Sequence, residues 1–538
     1  MRLTGAVTRP LLAPDVSAVH AEGEAHERVG RRGEARDLYE ATLFGGAALS
    51  ACEAALLLRL VARTYLHDAD LSAAAECARV ALAVAELCED RAALGHATNI
   101  LAIVEWKYGN VEEAERLYRR AREYADEAKD DRLVAMTASN LGIIADVRGD
   151  EREARSAFEH SLDVARRAGC TELVVAALCN LGQLEMQALD YARAGTHFTE
   201  ARAMSAVVRE PGMLLTVELL LTRLRIREGD LAGARAHCEH VRAIADQVGD
   251  VREGADVEYV FGLVARATGD LDAAEQHLTA AERISAERHD LIVEGEAACE
   301  LAELFRAQGR NRQTLQRLNQ AHRLFGQLRA RRELADVDRC THALEDQFLE
   351  VARKWGESIE SKDVYTQGHC VRVANLACAL WQRVHGDDTS LFWFRIGALL
   401  HDVGKLTVPA EVLNKSGSLT REEWELMREH TTAGVALLAD VEFPWEVRPL
   451  VESHHERWDG GGYPHGLAGE SIPLTARVLG VADVYDALTS ERSYKVALTR
   501  EEALAEMGKD AGTQFDPALF AEFVAMLREE EGTLALVA

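Results

Sequence analysis

His401 and Asp402 stand side by side at the end of the apolar stretch IGALLHDVGK. Adjacent imidazole and carboxylate groups at a helix end can place a nitrogen and an oxygen on one metal ion. Taken alone, the pair is as readily a helix terminus with a surface carboxylate, Gly404 closing the helix. The pair has company. His369 opens HCVRVANLACALW, and His430 lies in a helix started by the capping box Thr420-x-x-Glu423, on one face with Met427 and Leu437. His454 and His455 end another helix just before ERWDGGGYP, and Asp483 lies inside ARVLGVADVYDAL. One histidine on an apolar stripe is normally a satisfied core residue. An ionised carboxylate buried where Asp483 lies is strongly unfavourable unless a partner or a cation offsets it. Five histidines and two aspartates on successive helices of one short region point to a shared metal centre.

The elements that hold these residues differ from those before them. Pro10 and Pro14 are followed only by Pro211 until Pro409; then Pro444, Pro449, Pro464, Pro473 and Pro517 crowd the C-terminal third. Helix interiors exclude proline, so the long middle reads as nearly uninterrupted helix and the last third as shorter pieces. The middle is also periodic. Gly109-Asn110, Gly149-Asp150, Gly229-Asp230, Gly269-Asp270 and Gly309-Arg310 share one register, with Leu189-Asp190 in the remaining slot. Ala74, Ala114, Ala154, Ala194, Ala234 and Ala274 recur behind it, followed by Tyr118, Phe158, Phe198, Cys238, Leu278 and Leu318. Glycine ends one helix, Asp or Asn caps the next, and the small residue lets neighbours approach.

The pattern is a helical-hairpin solenoid. It resembles the tetratricopeptide repeat family in a long-helix version and covers residues 15–345 in about eight repeats, behind a disordered tail at 1–14. Such arrays offer a concave surface to a protein or peptide partner; a spacer or a dimerising element fits the pattern equally. The twelve histidines of this region form no ligand constellation and read as surface or core residues. The charged segment from Glu333 to Glu360 places Leu344, Phe348, Val351, Trp355 and Ile359 at helical spacing, so it continues the last repeat into the next domain. It either transmits a change in the array or only covers a core face.

Composition agrees with an all-α chain. Aromatics are 6% and hydrophobic residues 48%, with 9 prolines in 538 residues. Lys+Arg 61 against Asp+Glu 89 gives a net charge of −28, which excludes nucleic acid polymers and anionic membranes as primary partners. No run of about 18 apolar residues is present, and the first residues, MRLTGAVTRPLLAPDV, lack the apolar core of a signal peptide. Ten scattered cysteines without a CxxC pair read as small buried hydrophobes, which places the chain in the cytoplasm.

In the C-terminal third, YTQGHCVRVA, HDVGK, REHTTAG, HHERWDGGGYP, ADVYDALTSERSYK and QFDPALFAEF resemble, in order, the motifs of the HD-GYP domain, a subgroup of the HD metal-dependent phosphohydrolases. The resemblance spans roughly residues 350–530 and implies an all-helical HD-GYP domain over 346–538. It implies hydrolysis of cyclic di-GMP to linear pGpG and, in some members, on to GMP. It assigns His369, His401, Asp402, His430, His454, His455 and Asp483 as metal ligands, Asp402 bridging, around two divalent transition-metal ions, iron or manganese. The donor chemistry agrees: imidazole and carboxylate without thiolate suit iron, manganese, zinc or nickel and suit calcium or magnesium poorly. Two cations about 3.5–4 Å apart can orient a phosphodiester and stabilise both its attacking and leaving oxygens.

The same resemblance makes Asp402 and Lys405 catalytic and gives the substrate to Lys405, Arg492, Lys495 and the Gly462-Tyr463-Pro464 loop. Arg372 either joins these in gripping phosphate or guanine or only neutralises carboxylates, Asp459 orients a ligand histidine or holds the loop, and His385 and His465 are exposed. Two departures stand out. Tyr365 occupies the position where some members carry a glutamate for a third ion, so a two-metal centre is expected, and Ser493 replaces the proline of an RPY motif. Two other readings remain open: a phosphodiesterase for another cyclic dinucleotide such as cyclic GMP-AMP, and a low-turnover protein that senses nucleotide or docks a diguanylate cyclase or regulator. A homodimer is compatible with all three.

Overall fold

The computed structural model describes residues 15–28, 30–45, 48–208, 211–248, 254–362, 368–385, 388–415, 417–441, 443, 445–490 and 497–537. The expected tail at 1–14, and Tyr365, Arg492, Ser493 and Lys495, lie outside these residues. The chain is all-α: among the described residues there is no strand, only isolated bridges at Asp459–Ala468 and Ala511–Phe515. It divides into two compact units, Met1–Gln308 with Thr314–Asp338, and Gly309–Gln313 with Arg339–Ala538.

The first unit is built from helix pairs in chain order: α1 (Val16–Arg28) with α2 (Arg32–Phe44), α3 (Ala51–His67) with α4 (Leu71–Leu87), α5 (Arg91–Lys107) with α6 (Val111–Ala128), α7 (Asp131–Val147) with α8 (Glu151–Ala168). There follow α9 (Thr171–Gln187) with α10 (Tyr191–Val208), α11 (Pro211–Glu228) with α12 (Leu231–Val248), α13 (Gly254–Ala267) with α14 (Leu271–Glu287), and α15 (Leu291–Ala307) with α16 (Asn311–Leu328). The turn inside each hairpin explains the sequence register. Gly109, Gly149, Gly229, Gly269 and Gly309 all adopt positive φ, and Leu189 takes the same left-handed conformation in its slot. Asp70, Asp190, Asp230 and Asp270 then accept the backbone N–H three residues on, closing the next helix's first turn. Asn110 does not cap; its amide donates to Glu105 instead.

Packing follows from the same periodicity. Ala114, Ala154, Ala194, Ala234 and Ala274 are fully buried, as are Phe158 and Phe198. The aromatic rings fill space left by glycines on the facing helices: a Cβ on Gly142 would lie 2.6 Å from Phe158, and one on Gly182 would lie 2.4 Å from Phe198. Each such ring contributes roughly 1.5–3 kcal/mol by leaving water. Late helices also meet early ones within this unit. Gln327 donates to the Tyr108 carbonyl at 2.6 Å, Lys107 to the Arg288 carbonyl at 3.3 Å, and Arg329 pairs with Glu112 at 2.7 Å.

The second unit takes the part of α17 (Arg331–Lys362) from Arg339 on, which supplies Leu344, Phe348 and Ile359 to its core, where Phe348 stacks edge-on to Trp393 and packs against Phe443. The segment thus covers a core face, one of its two expected roles. The remaining elements are α18 (His369–His385), α19 (Asp388–Leu400), a 3-10 turn at Val403–Thr407, α20 (Ala410–Leu413), α21 (Arg421–Arg428) and α22 (His430–Leu437). After them come α23 (Arg448–Ser453), α24 (Leu474–Thr489), α25 (Arg500–Gly508) and α26 (Pro517–Val537).

Two local expectations change. The Thr420–Glu423 capping box forms, but it starts α21, and His430 begins the separate helix α22 after a turn at Glu429. Gly404 does not close a helix in the left-handed region; α19 stops at Leu400 and Gly404 sits in the 3-10 turn. Its glycine requirement is spatial, since a Cβ there would lie 1.7 Å from the His430 carbonyl oxygen.

Candidate metal centre

Four helix ends and the middle of a fifth helix converge in the second unit. His369 is the first residue of α18, His401 and Asp402 lie on the turn after α19, His430 opens α22, and His454 and His455 follow α23. Asp483 projects from the middle of α24. Placing these residues at helix ends lets their backbone groups stay paired while the side chains turn inward. Gly404 and Gly434 allow the 3-10 turn to lie directly on α22, the Gly404 methyl position falling 2.6 Å from the Gly434 nitrogen.

The buried donor atoms fall into two groups that share one residue. Asp402, His430, His454 and His455 offer one set of ligand atoms mutually within 4.8 Å, and His369, His401 and Asp402 offer another. Asp402 is 2% exposed and His401 1%. The His430 and His454 Nε2 atoms face each other at 3.4 Å, and Asp402 Oδ1 lies 3.6 Å from His430 Nε2 and 3.9 Å from His454 Nε2. Asp483 joins through His369, whose Nε2 is 3.2 Å from Asp483 Oδ1.

The imidazoles are fixed from behind. Nδ1 of His401 donates to the Ala398 carbonyl at 2.7 Å, Nδ1 of His430 to Met427 at 2.6 Å, and Nδ1 of His454 to Val451 at 2.7 Å. A proton on Nδ1 leaves the Nε2 lone pair directed into the centre, the tautomer a metal needs. Charge is arranged to match. Burial holds the pKa of His430 and His454 below the ordinary value, and it pushes His455 down to about 4, so these rings are neutral at physiological pH. Burial opposes ionisation of Asp402, yet Lys405 and His401 hold its carboxyl well below the usual range. His369 is the exception: against the effect of burial, hydrogen bonds to Asp483 and Asp486 raise it to about 9. Neutral nitrogens and ionised oxygens around one small volume fit a divalent transition metal.

The surroundings include residues the sequence left unassigned. Asp486, one turn beyond Asp483, accepts His369 Nδ1–H at 2.7 Å and is gripped by Arg372. Arg372 therefore neutralises a carboxylate, one of its two expected roles. Glu456 is buried and takes the backbone N–H groups of His465 and Leu467 at 2.7 and 3.0 Å, pinning the glycine-rich loop. Asp459 touches no ligand histidine; it accepts Gly461 N–H at 2.9 Å and pairs with Arg457, so it holds the loop. The loop lies tight on the ligand segment. A Cβ on Gly462 would meet Arg457 N, Glu456 Cα and His455 O at 2.4–2.6 Å. Tyr463 packs on the His455 ring at 4.9 Å, with the Arg428 guanidinium 4.5 Å above its own ring, and a cis peptide joins it to Pro464.

Lys405 Nζ sits 2.6 Å from Asp402 Oδ2. Beside the ligands opens a cavity of about 370 Å³, lined by His454, His455, Asp483, Tyr463, Trp458 and Trp424. Trp424 is 51% exposed. A carboxylate spaced one turn after Asp483 was the available signal for Asp486; nothing in the spacing marked Trp424, whose role depends on the fold. His385 and His465 are exposed and apart from the centre, His385 stacking on Trp381 and His465 reaching Glu452.

Comparison with known proteins agrees with the two-part architecture. Residues 353–519 match the HD domain family model, and residues 93–167 match a tetratricopeptide repeat model. Over 192 residues the chain is 41% identical to a cyclic di-GMP phosphodiesterase of Pseudomonas aeruginosa, covering 33% of this chain and 45% of that one. Over 179 residues it is 36% identical to the 3'3'-cGAMP-specific phosphodiesterase 3 of Vibrio cholerae, covering 33% and 39%. A cyclic di-GMP phosphodiesterase of Thermotoga maritima is 34% identical over 187 residues, covering 34% and 51%. The chain thus spans about two fifths to one half of the length of these curated relatives. Among solved structures, the cyclic GMP-AMP-specific phosphodiesterase of Vibrio cholerae aligns with TM-score 0.27 at 22% identity, over 33% of this chain and 48% of that one. A Rap protein aligns with TM-score 0.42 at 14% identity, over 63% and 99%.

Proposed function

We propose that this chain, which joins a tetratricopeptide-type helical array to an HD domain, is a metal-dependent cyclic dinucleotide phosphodiesterase that hydrolyses cyclic di-GMP to linear pGpG, either stopping there or going on to GMP. The observation that carries the reading is Asp402, buried and common to both ligand groups. One carboxylate serving two clusters is the arrangement a pair of adjacent cations requires. In this reading His369, His401, Asp402, His430, His454, His455 and Asp483 hold two ions, iron or manganese. When bound, the ions supply Lewis-acid activation of the phosphodiester and of the attacking water.

The rest of the site is the work of the chain's own groups. The carbonyls behind His401, His430 and His454 keep each Nε2 aimed inward, so no reorientation is needed at the moment of reaction. Lys405 presents its ammonium at Asp402 and neutralises the scissile phosphate together with Arg492 and Lys495. Gly462, Tyr463 and Pro464 form the substrate-facing loop, Tyr463 shielding His455 from water on one side. The array at residues 15–345 regulates or targets the domain at 346–538 by binding a protein or peptide partner.

A second reading exchanges the substrate for 3'3'-cGAMP. It is favoured by the cGAMP-specific relative, whose identity of 36% is close to that of the cyclic di-GMP relatives. The test loads the full chain anaerobically with Fe(II) or Mn(II) and follows both dinucleotides by chromatography. Turnover of cyclic di-GMP is expected, with the products showing whether it stops at pGpG or continues to GMP. Faster turnover of the mixed dinucleotide selects the second reading, and no turnover of either with any metal refutes both.

A further inference from the structure

The four most buried ligand histidines are not supported alike. His401, His430 and His454 each donate Nδ1–H to a neutral backbone carbonyl three residues earlier. His369 is the first residue of α18. Its Nδ1–H goes instead to Asp486 Oδ2 at 2.7 Å, on the neighbouring helix α24. Asp486 is buried and its carboxylate is saturated. Arg372 Nε reaches Oδ1 at 2.7 Å, Arg372 Nη2 reaches Oδ2 at 3.0 Å, and the Ser490 hydroxyl donates to Oδ2 at 3.2 Å. Arg372 Nη2 also donates to Ser490 Oγ at 3.1 Å.

The geometry is reciprocal. Helix α18 presents the ligand His369 and, one turn later, Arg372. Helix α24 presents the ligand Asp483 and, one turn later, Asp486. Each ligand touches the other at 3.2 Å, and each support grips the other in a bidentate fork, so two ion-pair-like contacts fix the rotation of both helices together. A carboxylate behind an imidazole also does what a carbonyl cannot. It draws the Nδ1 proton and raises the electron density at Nε2, making a stronger metal donor. The half of the centre holding His369 therefore combines Asp402, Asp483, the carbonyl-backed His401 and one carboxylate-backed imidazole, whereas the other half combines Asp402 with imidazoles, of which His430 and His454 are backed by neutral carbonyls.

We infer that Asp486, clamped by Arg372 and Ser490, is a positioning residue for the ligand His369, and that it makes the His369 side the tighter of two unequal cation positions. The inference rests on the two-ion reading proposed above, and on no choice of substrate. It predicts ordered filling, the His369 side first.

The test is a stepwise calorimetric titration of the EDTA-stripped full chain with Mn(II), with metal content per chain measured after dialysis. Wild type should show two resolved binding steps. Asp486→Asn keeps size and a hydrogen-bond acceptor but removes the charge. It should weaken the tighter step by about 10–100-fold, the range found when support behind a metal ligand is lost, while leaving the weaker step in place. Arg372→Gln alters a residue whose side chain is 45% exposed and tolerant of change; it should weaken the same step less. Asp486→Glu should restore part of the loss, which a merely structural role would not. Folding of each variant is checked by thermal unfolding in EDTA. Two ions bound by Asp486→Asn with wild-type affinities, or two equivalent sites in the wild type, would overturn the inference and leave the two-ion reading intact. A wild type that binds no pair of ions would overturn both.

Discussion

Gly404→Ala adds a single methyl group, and the structure dictates where it goes. The new Cβ would lie 1.7 Å from the His430 carbonyl oxygen and 2.6 Å from the Gly434 nitrogen, all backbone atoms of α22. A carbon and a carbonyl oxygen do not approach closer than about 3.3 Å without repulsion, so the 3-10 turn and α22 must separate by about 1.6 Å. No rotamer change can relieve the contact because no side chain is involved. Overpacking a buried site costs roughly 1–3 kcal/mol, and a clash with backbone on both sides belongs at the upper end, about 3 kcal/mol. A unit of roughly 150–250 residues loses about 2–4 °C per kcal/mol, so a fall of about 6–12 °C in Tm is expected.

The same displacement carries His430 away from Asp402, now 3.6 Å from its Nε2. Metal sites tolerate errors of about 0.2 Å in ligand distance, so His430 should leave the centre. The assay is calorimetric Tm in EDTA together with metal content after reconstitution. Gly417→Ala is the control, since nothing lies within 4 Å of a Cβ there; it should stay within about 0.5 kcal/mol of wild type. A Gly404→Ala protein with unchanged Tm and the wild-type complement of metal would refute the argument that the turn's close approach builds the site.

Two further outcomes follow from the centre itself. Asp402→Ala removes the residue shared by both ligand groups; bound metal should fall to near zero and turnover by at least about a thousandfold, given the several kcal/mol that bound metals supply, and retained turnover would refute the metal centre. Thermal stability of the EDTA-stripped chain should peak near pH 6.5. His455, lowered to about 4, subtracts stability as pH falls from 6.5 toward 4, whereas His369, raised to about 9, contributes stability that is complete below 6.5 and lost as pH rises to 9. Reconstitution with metal, which requires neutral imidazole, should abolish the alkaline decline; a decline of equal size with and without metal would count against His369 as a ligand.

The repeats were legible because their constraints are local and recur. A left-handed residue, a capping aspartate and a buried alanine each follow from a single turn of chain, so Gly149, Asp190 and Ala154 could be placed from spacing. The clustered histidines and aspartates were legible for a different reason: a buried imidazole or carboxylate is costly without partners, so seven in one short region imply one another. What spacing could not supply is how non-adjacent helices meet. Gly404 has the spacing of a helix end, yet its reason for being glycine lies 26 residues away in the His430 carbonyl. Asp486 could be noticed one turn after Asp483, but its partner His369 is 117 residues earlier. Trp424 reads as an ordinary amphipathic residue until the fold sets it at the cavity beside His454 and His455.

The net charge of −28 sharpens a last expectation. A cyclic dinucleotide is a dianion, and the described cations nearest the centre already have partners: Lys405 lies on Asp402, Arg372 on Asp486, and Arg428 over the Tyr463 ring. With Asp402 and Asp483 ionised and no metal to balance them, an incoming phosphodiester meets like charge in a buried, weakly screened site. Divalent ions held by those carboxylates would supply positive charge there, and Lys405 would then be left to face the phosphodiester. Metal and dinucleotide should therefore bind with positive coupling, and by thermodynamic reciprocity each tightens the other by the same factor. Equilibrium binding of cyclic di-GMP to the full-length Asp402→Ala chain and to the EDTA-stripped wild type should be at least about tenfold weaker than to wild type loaded with Mn(II) at a temperature low enough to suppress turnover, a coupling of about 1.4 kcal/mol or more. Equal affinities for stripped and loaded protein would show that the positive charge drawing in the substrate comes from the polypeptide alone.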